Sequence, residues 1–331
     1  MTERQTCVVI GSNSFSGAAF SSYMINKGYE VIGISRSTEP ADALLPYKWV
    51  DNSKFTFHKM DINHDLLAMM EVIHDEKPEY IFNFSAQSMV AQSWEHPEHW
   101  FMTNVISTVK LHDELRKCEF LKKFVHVTTP EVYGNCEGFV KEDYPFNPST
   151  PYAVSRAAGD MSLKTFVDNY SFPAVSTRAA NVFGAGQQLY RIIPRMVLFI
   201  RLGKKLQLHG GGASIRSFIH IDDVSEATLK IAEYGVVGET YHISTNQMIS
   251  IKDLVTLICE KMDVEFNDHV EIVDERPGKD AAYSLDSSKL RKTLNWEDKV
   301  TLEKGLEEVI NWVDQNIDTL IDMEHNYIHK I

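Results

Sequence analysis

The chain has 331 residues, a net charge of -13 and an apolar content of 44%. That is long enough for a large core and two lobes, and the acidic balance excludes a protein that neutralises nucleic-acid phosphates through a basic face. Cys7, Cys118, Cys136 and Cys259 have no paired spacing, which excludes a disulfide framework and a cysteine-based zinc site. No apolar run has the length of a membrane span or the form of a leader, so a cytoplasmic protein is expected.

Residues 7–10 form a short apolar strand that runs into Gly11-Ser12-Asn13-Ser14-Phe15-Ser16-Gly17 and then a helix reaching about Lys27. Glycines between a strand and a helix permit a tight turn and let backbone amides approach a pyrophosphate at the helix N-terminus. Gly11 and Gly17 fit that spacing, Ser14 stands where a middle glycine is usual, and Ser14 and Phe15 are counted with the glycines as cofactor contacts. A second strand, residues 29–34, leads into Ser35-Arg36-Ser37 without an acid. An acid there holds the ribose 2′-hydroxyl of NAD, whereas an arginine suits a 2′-phosphate, so NADP is expected ahead of NAD through Arg36. The third strand, 55–59, ends at Asp61-Ile62, and Asn63 is expected to cap the next helix.

Residues 80–82 read as a fourth strand, followed by Asn83-Phe84-Ser85-Ala86-Gln87-Ser88. Pro97 begins a helical pattern carrying Trp100, Phe101, Val105, Val109 and Leu111, more apolar bulk than one sheet face needs. His96 and His99 on this stretch are expected at the surface, and no metal site is expected. Strands alternating with helices imply a parallel, doubly wound sheet.

The apolar run 124–127 stops at Thr128-Thr129-Pro130-Glu131, so a buried strand delivers hydroxyls and a carboxylate to its carboxyl end, where open α/β sheets carry their chemistry. After a proline-rich loop, Pro151 opens a helix that places Tyr152 and Arg156 on one face, one turn apart. A phenol of pKa near ~10 needs roughly 4 kcal/mol of preferential stabilisation of its anion to act as a base at neutral pH. The Arg156 cation, helped by the positive charge of a nicotinamide, is the expected source.

A strand over residues 173–178 closes this pattern, and from Asn181 glycines punctuate short segments while basic residues recur. Arg216 follows Gly210-Gly211-Gly212 and precedes an apolar run; its fork is expected to enter a cleft and hold diphosphate oxygens bidentately.

Taken together, these motifs resemble the extended short-chain dehydrogenase/reductases, and within them the nucleotide-sugar 4,6-dehydratases acting on dTDP-glucose and GDP-mannose. Thr129-Pro130-Glu131-Val132-Tyr133-Gly134 is similar to Thr-Asp-Glu-Val-Tyr-Gly, and Tyr152 to Arg156 to Tyr-x-x-x-Lys. Arg178-Ala179-Ala180-Asn181, Arg191-Ile192-Ile193-Pro194, the Arg216 segment and Arg276-Pro277-Gly278-Lys279-Asp280 also match in order. The resemblance implies a Rossmann lobe over 1–180 and 218–246, and a smaller α/β lobe for the nucleotide sugar over 181–217 and 247–331. It implies cofactor contacts at Asp61, Ile62, Ser85, Ala86, Tyr152 and Arg156, and substrate contacts at Gln87, Ser88, Asn181, Arg191, Arg216 and Arg276. It also implies a homodimer formed through the 97–111 and Tyr152 helices. Residues 322–331 match no motif and are expected to form a loosely packed tail.

The implied reaction oxidises a sugar at C4, with Tyr152 taking the hydroxyl proton and Thr129 bonding that hydroxyl. Glu131 removes the acidified C5 proton, water leaves from C6, and hydride returns to C6. Two positions depart from the pattern: Pro130 cannot donate a proton, and Arg156 cannot relay one. A nucleotide-sugar 4-epimerase, decarboxylase or dehydrogenase shares the Tyr152 chemistry and is the alternative, with a non-catalytic NADP-binding protein beyond it.

Overall fold

The structure, a computed structural model, describes residues 5–274 and 284–330. A central sheet is built from β1 (Thr6–Ile10), β2 (Glu30–Ser35), β3 (Phe55–Lys59), β4 (Tyr80–Asn83) and β5 (Lys123–Val127), extended by the strands Ala174–Ala179 and Thr240–Ile243. Its seven strands run parallel in the order Thr240–Ile243, Ala174–Ala179, β5, β4, β1, β2, β3. All five residues of β1 are buried, as a strand covered on both faces requires.

One face packs Phe20 and Met24 of the helix Phe15–Asn26 with Ala227 and Ile231 of the helix Ile221–Tyr234. The other face packs Met69 and Ile73 with Leu111, Leu115 and Phe124. This is the doubly wound α/β arrangement expected from the alternation of strands and helices. The chain order reverses where β1 meets β4, and the crevice above that point is where such sheets bind ligands.

A third core lies off the sheet. It joins Ile193, Met196 and Val197 of the helix Ile192–Arg201 to Leu254 and Ile258 of Ile251–Lys261 and to Val309 and Trp312 of Leu302–Gln315. Short strand pairs trim it: Asn181–Phe183 with Phe218–His220, Ile215–Arg216 with Ile249–Ser250, and Leu206–His209 with Val270–Val273. No described helix is long and apolar enough to cross a membrane.

Two local expectations are corrected. Asn63 does not cap the helix Leu66–Glu76, whose first flanking residue is Asp65; it lies two residues before that position, where its Nδ2 donates to Thr103 Oγ1 at 3.1 Å and, among the described residues, its Oδ1 accepts from none. The helix from Pro97 to Leu115 is broken by a π-helical turn, Met102–Ser107. Its apolar residues divide: Trp100 and Leu111 are fully buried inside this chain, while Phe101, Met102 and Ile106 are exposed.

Candidate active site

The loop after β1 is fixed by its own hydrogen bonds. Ser14 caps the helix Phe15–Asn26 by accepting from the Gly17 amide at 3.1 Å, while its hydroxyl donates to the Gly11 carbonyl at 2.7 Å. A serine in the middle position thus closes the turn itself. Gly11 has φ of +88°, and a Cβ there would meet the Phe84 carbonyl carbon at 2.8 Å; a Cβ on Gly17 would meet the Gly11 oxygen at 2.2 Å. Gly11 lets the loop after β1 press against the loop after β4, and Gly17 lets the helix close tightly on the Gly11 carbonyl.

Asn13 ties this loop to the end of β2: its amide nitrogen donates to Ser35 Oγ and its side chain to the Ser37 carbonyl. Ser35 stands where an acid was looked for, already holding a backbone N–H. A cleft of about 270 Å³ opens above, lined by Gly11, Ser14, Arg36, Asp61, Ile62, Ser85, Ala86, Gln87 and Ser88. Sequence-predicted cofactor residues from four strand ends and two predicted substrate residues therefore share one cavity, whereas Gly17, Tyr152 and Arg156 do not line it. Phe15 is buried in the core beside it rather than along its lining. A larger cavity, about 620 Å³, lies by Lys141, Lys164 and Lys289 and contains none of the predicted site residues.

At the end of β5, Thr129 caps a short turn, Pro130–Tyr133, by accepting from the Glu131 amide at 3.2 Å. Pro130 opens that turn, where its fixed φ and missing N–H cost nothing. Thr150 caps the helix Pro151–Tyr170 in the same way, and this brings buried Tyr152 into the field of Thr129, Glu131, Arg156 and Arg191 together.

Burial pushes the Tyr152 phenol above its ordinary value; Arg156 pulls it down, as does the hydrogen bond with Thr129, while Glu131 raises it and Arg191 lowers it. The expectation that Arg156 brings the phenol down is corrected to this extent: in the protein alone, burial outweighs the cation. The buried Arg156 guanidinium donates to the Val127 carbonyl, and among the described residues its Nε finds no partner. Thr128 Oγ1 and Asn83 Nδ2, at the ends of β5 and β4, are also buried without a partner. Buried donors left over at the strand ends fit a hydroxyl-rich ligand such as the ribose of a dinucleotide.

Beneath Tyr152 lies a layer that the sequence reading missed. Asp160, one turn below Arg156, accepts from Arg178 at 2.7 Å and lies 3.5 Å from His126 Nε2. Burial works to raise the Asp160 carboxyl, yet Arg178, His126 and Arg156 together hold it well below the usual range. Arg178 also donates to the Tyr133 hydroxyl, which lies 2.7 Å from His242 Nε2. Only Arg178 and Tyr133 were visible as motif members, without this role. Asn104, inside the π-helical turn, was missed as well: its side chain accepts from the Gln87 amide at 2.9 Å and donates to the Gln87 carbonyl and Ser155 Oγ. The one available signal was an asparagine within an apolar helical pattern.

On the other wall, Asn181 Nδ2 donates to the Ser217 carbonyl at 3.3 Å. Arg191 is the exposed residue flanking the helix Ile192–Arg201, with its guanidinium over the Tyr190 ring. Arg216 Nη1 donates to the Ile215 carbonyl at 2.9 Å, and Arg216 does not line the 270 Å³ cleft. Arg276 lies outside the described residues.

The expected loose tail is docked instead. His329 stacks on Trp100 with ring centroids 4.9 Å apart, and Lys330 accepts from Gln87 Nε2 at 2.9 Å. Tyr327 and Lys330 line the cleft.

Residues 8–309 match the family described as GDP-mannose 4,6 dehydratase. The chain is 30% identical over 329 residues to the dTDP-glucose 4,6-dehydratase of Haemophilus influenzae, covering 92% of this chain and 96% of that one. It is similar to the structure of dTDP-glucose 4,6-dehydratase from Bacillus anthracis in complex with NAD, with TM-score 0.86, 30% identity, and coverage of 95% and 98%. It is also similar to a UDP-glucose 4-epimerase of Thermotoga maritima with UDP-glucose, with TM-score 0.86, 26% identity, and coverage of 95% and 100%.

Proposed function

The chain belongs to the GDP-mannose 4,6 dehydratase family, and from that premise we propose that it is a nicotinamide-dinucleotide-dependent nucleotide-sugar 4,6-dehydratase, converting a nucleoside-diphosphate hexose into its 4-keto-6-deoxy form. The observation that carries this reading is the meeting of Tyr152, Thr129, Glu131 and Arg191 at the end of β5, beside the cleft over the β1–β4 crevice.

When bound, the dinucleotide supplies a hydride acceptor for sugar C4 and a donor for C6. Tyr152 removes the C4 hydroxyl proton while Thr129 orients that hydroxyl. Arg156 stabilises the phenolate and offers its unpartnered Nε to the ribose. Glu131, buried beside Tyr152, takes the C5 proton once C4 is a ketone. Pro130 has no proton to give, so the departing C6 hydroxyl is protonated by Glu131 itself or by water, and as hydride reaches C6 the same carboxyl, or water, returns a proton to C5.

The finer assignments belong to the same proposal. Arg36, with no acid at the end of β2, favours NADP over the NAD held by the Bacillus anthracis relative. Asn181, Arg191, Arg216 and Arg276 hold the diphosphate, with Gln87 and Ser88 toward the sugar. The lobes divide as 1–180 with 218–246 and 181–217 with 247–331. A homodimer forms through the exposed Phe101, Met102, Ile106, Val154 and Met161, five apolar side chains on two adjacent helices.

A second reading, a nucleotide-sugar 4-epimerase, is favoured by Pro130, since an epimerase needs no acid at C6, and by the likeness to the Thermotoga maritima enzyme. Incubation with GDP-, dTDP-, UDP- and CDP-hexoses, followed by mass spectrometry, tests both. Loss of one water from a sugar nucleotide identifies the dehydratase and its base; a chromatographically separated isomer of unchanged mass, absent without the protein, identifies the epimerase.

A further inference from the structure

After the helix Leu302–Gln315 and the short turn Ile317–Leu320, the chain alternates. Met323, His325, Tyr327 and His329 are half-buried, while Glu324, Asn326, Ile328 and Lys330 are exposed. An extended segment with aromatic rings at every second position buries them all on one side. What it buries them against is unusual: it crosses from the core that lies off the sheet to the sheet's carboxyl edge.

At its start, Arg195 donates to the His325 carbonyl at 3.0 Å and to Asn326 Oδ1 at 2.6 Å. The Tyr327 ring meets Tyr190 edge-on at 5.4 Å. Burial is the first cause of the raised Tyr327 phenol, Tyr190 adds to it, and Arg36 and Arg191 pull it down. His329 stacks between Trp100 at 4.9 Å and His99 at 5.1 Å, with its Nε2 2.9 Å from His99 Nδ1. The Lys330 carbonyl then accepts from Gln87, which is 3% exposed and held from behind by Asn104.

We propose that residues 324–330 form the outer wall of the dinucleotide site, a strap whose Tyr327 ring and Gln87–Lys330 hydrogen bond hold the bound dinucleotide in the cleft between turnovers. The inference rests on the reading of that cleft as a dinucleotide site. The chemistry favours retention: hydride taken from C4 is returned at C6, so the cofactor ends each cycle in the state in which it began and has no need to leave. An enzyme of this kind loses nothing by closing the cleft over its cofactor, and every closing contact slows its escape.

The test compares the full chain, a variant lacking residues 324–331, Tyr327→Ala and His329→Ala. Each is loaded with NADPH or NADH, bound dinucleotide is displaced with excess oxidised cofactor, and its fluorescence is followed; circular dichroism confirms folding. The truncation and Tyr327→Ala are expected to release dinucleotide roughly tenfold faster than the full chain, with His329→Ala between them. Trp100, which lies under His329, reports undocking through its own emission. Equal release rates in folded variants overturn the strap. So does tighter binding after truncation, which makes the segment a plug. If the truncation does not fold, the two point variants decide. If the full chain binds neither dinucleotide, the reading of the cleft fails, and that result is distinguishable because it involves no variant.

Discussion

The floor and the rim of this site are built on opposite plans. The floor under Tyr152 is a closed polar layer: Arg156, Asp160, Arg178, Tyr133, His126 and His242 are all buried and linked through charged or hydrogen-bonded contacts. The rim is assembled from exposed Arg191, which acts on Tyr152, and from the strap, whose Tyr327 and Lys330 line the cleft, each coming from a different element. A floor of this kind keeps the reacting groups in one geometry, because a buried ion pair tolerates little displacement. The rim keeps its adjustability, which is what binding a large charged ligand requires.

Variants can break or sharpen that contrast. The largest effect is expected for Tyr152→Phe, a loss of about 10³-fold in kcat with dinucleotide binding kept, measured by turnover and by cofactor retention. Next is Asp160→Asn, which leaves Arg178 facing an uncharged partner in a buried layer. It is expected to cost about 3–5 kcal/mol in denaturant unfolding. The pH dependence gives its sign: the folded Asp160 carboxyl is depressed, so its contribution is present above the ordinary value of about 3.9 and is lost as pH falls below it. The gap between the native protein and Asp160→Asn therefore narrows in acid; a gap that is constant with pH contradicts the charge pairing.

Arg156→Ala is expected to lose about 10²-fold in kcat, whereas Arg156→Lys keeps or raises activity by restoring a cation that can also relay a proton. Full activity in the alanine variant contradicts the role. For the rim, Arg191→Ala is expected to raise KM about tenfold with little change in kcat, the mark of a group that binds ground state and transition state alike. A smaller effect concerns Tyr152 itself. Since burial outweighs Arg156 in the protein alone, adding oxidised dinucleotide lowers the phenol, and its ionisation, followed by ultraviolet difference titration, moves to lower pH.

The parts of the site legible in the sequence are those fixed by short spacings. Gly11 and Gly17 flank a turn, Thr129 caps the residues just after it, and Tyr152 and Arg156 are one helical turn apart; each signal lies within a few residues. Asp160 and Arg178 became a pair only through the packing of a helix against the strand Ala174–Ala179. Gln87 and Lys330 are separated by 243 positions, so no local pattern could join them. The misplaced cap at Asn63 has a local cause, since the helix starts only after Asp65, two residues later. Yet the alternation Met323, His325, Tyr327, His329 was present in the letters, and an aromatic at every second residue is a poor description of a loose tail.

The π-helical turn at Met102–Ser107 carries a last consequence. Such a turn is equivalent to one extra residue in an α-helix, and each residue rotates a helix by about 100°. Removing a single residue there would restore a regular α-helix with Trp100 and Leu111 still in phase on either side of it, and would take away the widened turn from which Asn104 reaches Gln87 and Ser155. The extra residue therefore serves the position of Asn104 more than the packing of the helix, and a related chain with a one-residue gap here is expected to keep the helix and lose the Asn104 contacts to Gln87 and Ser155.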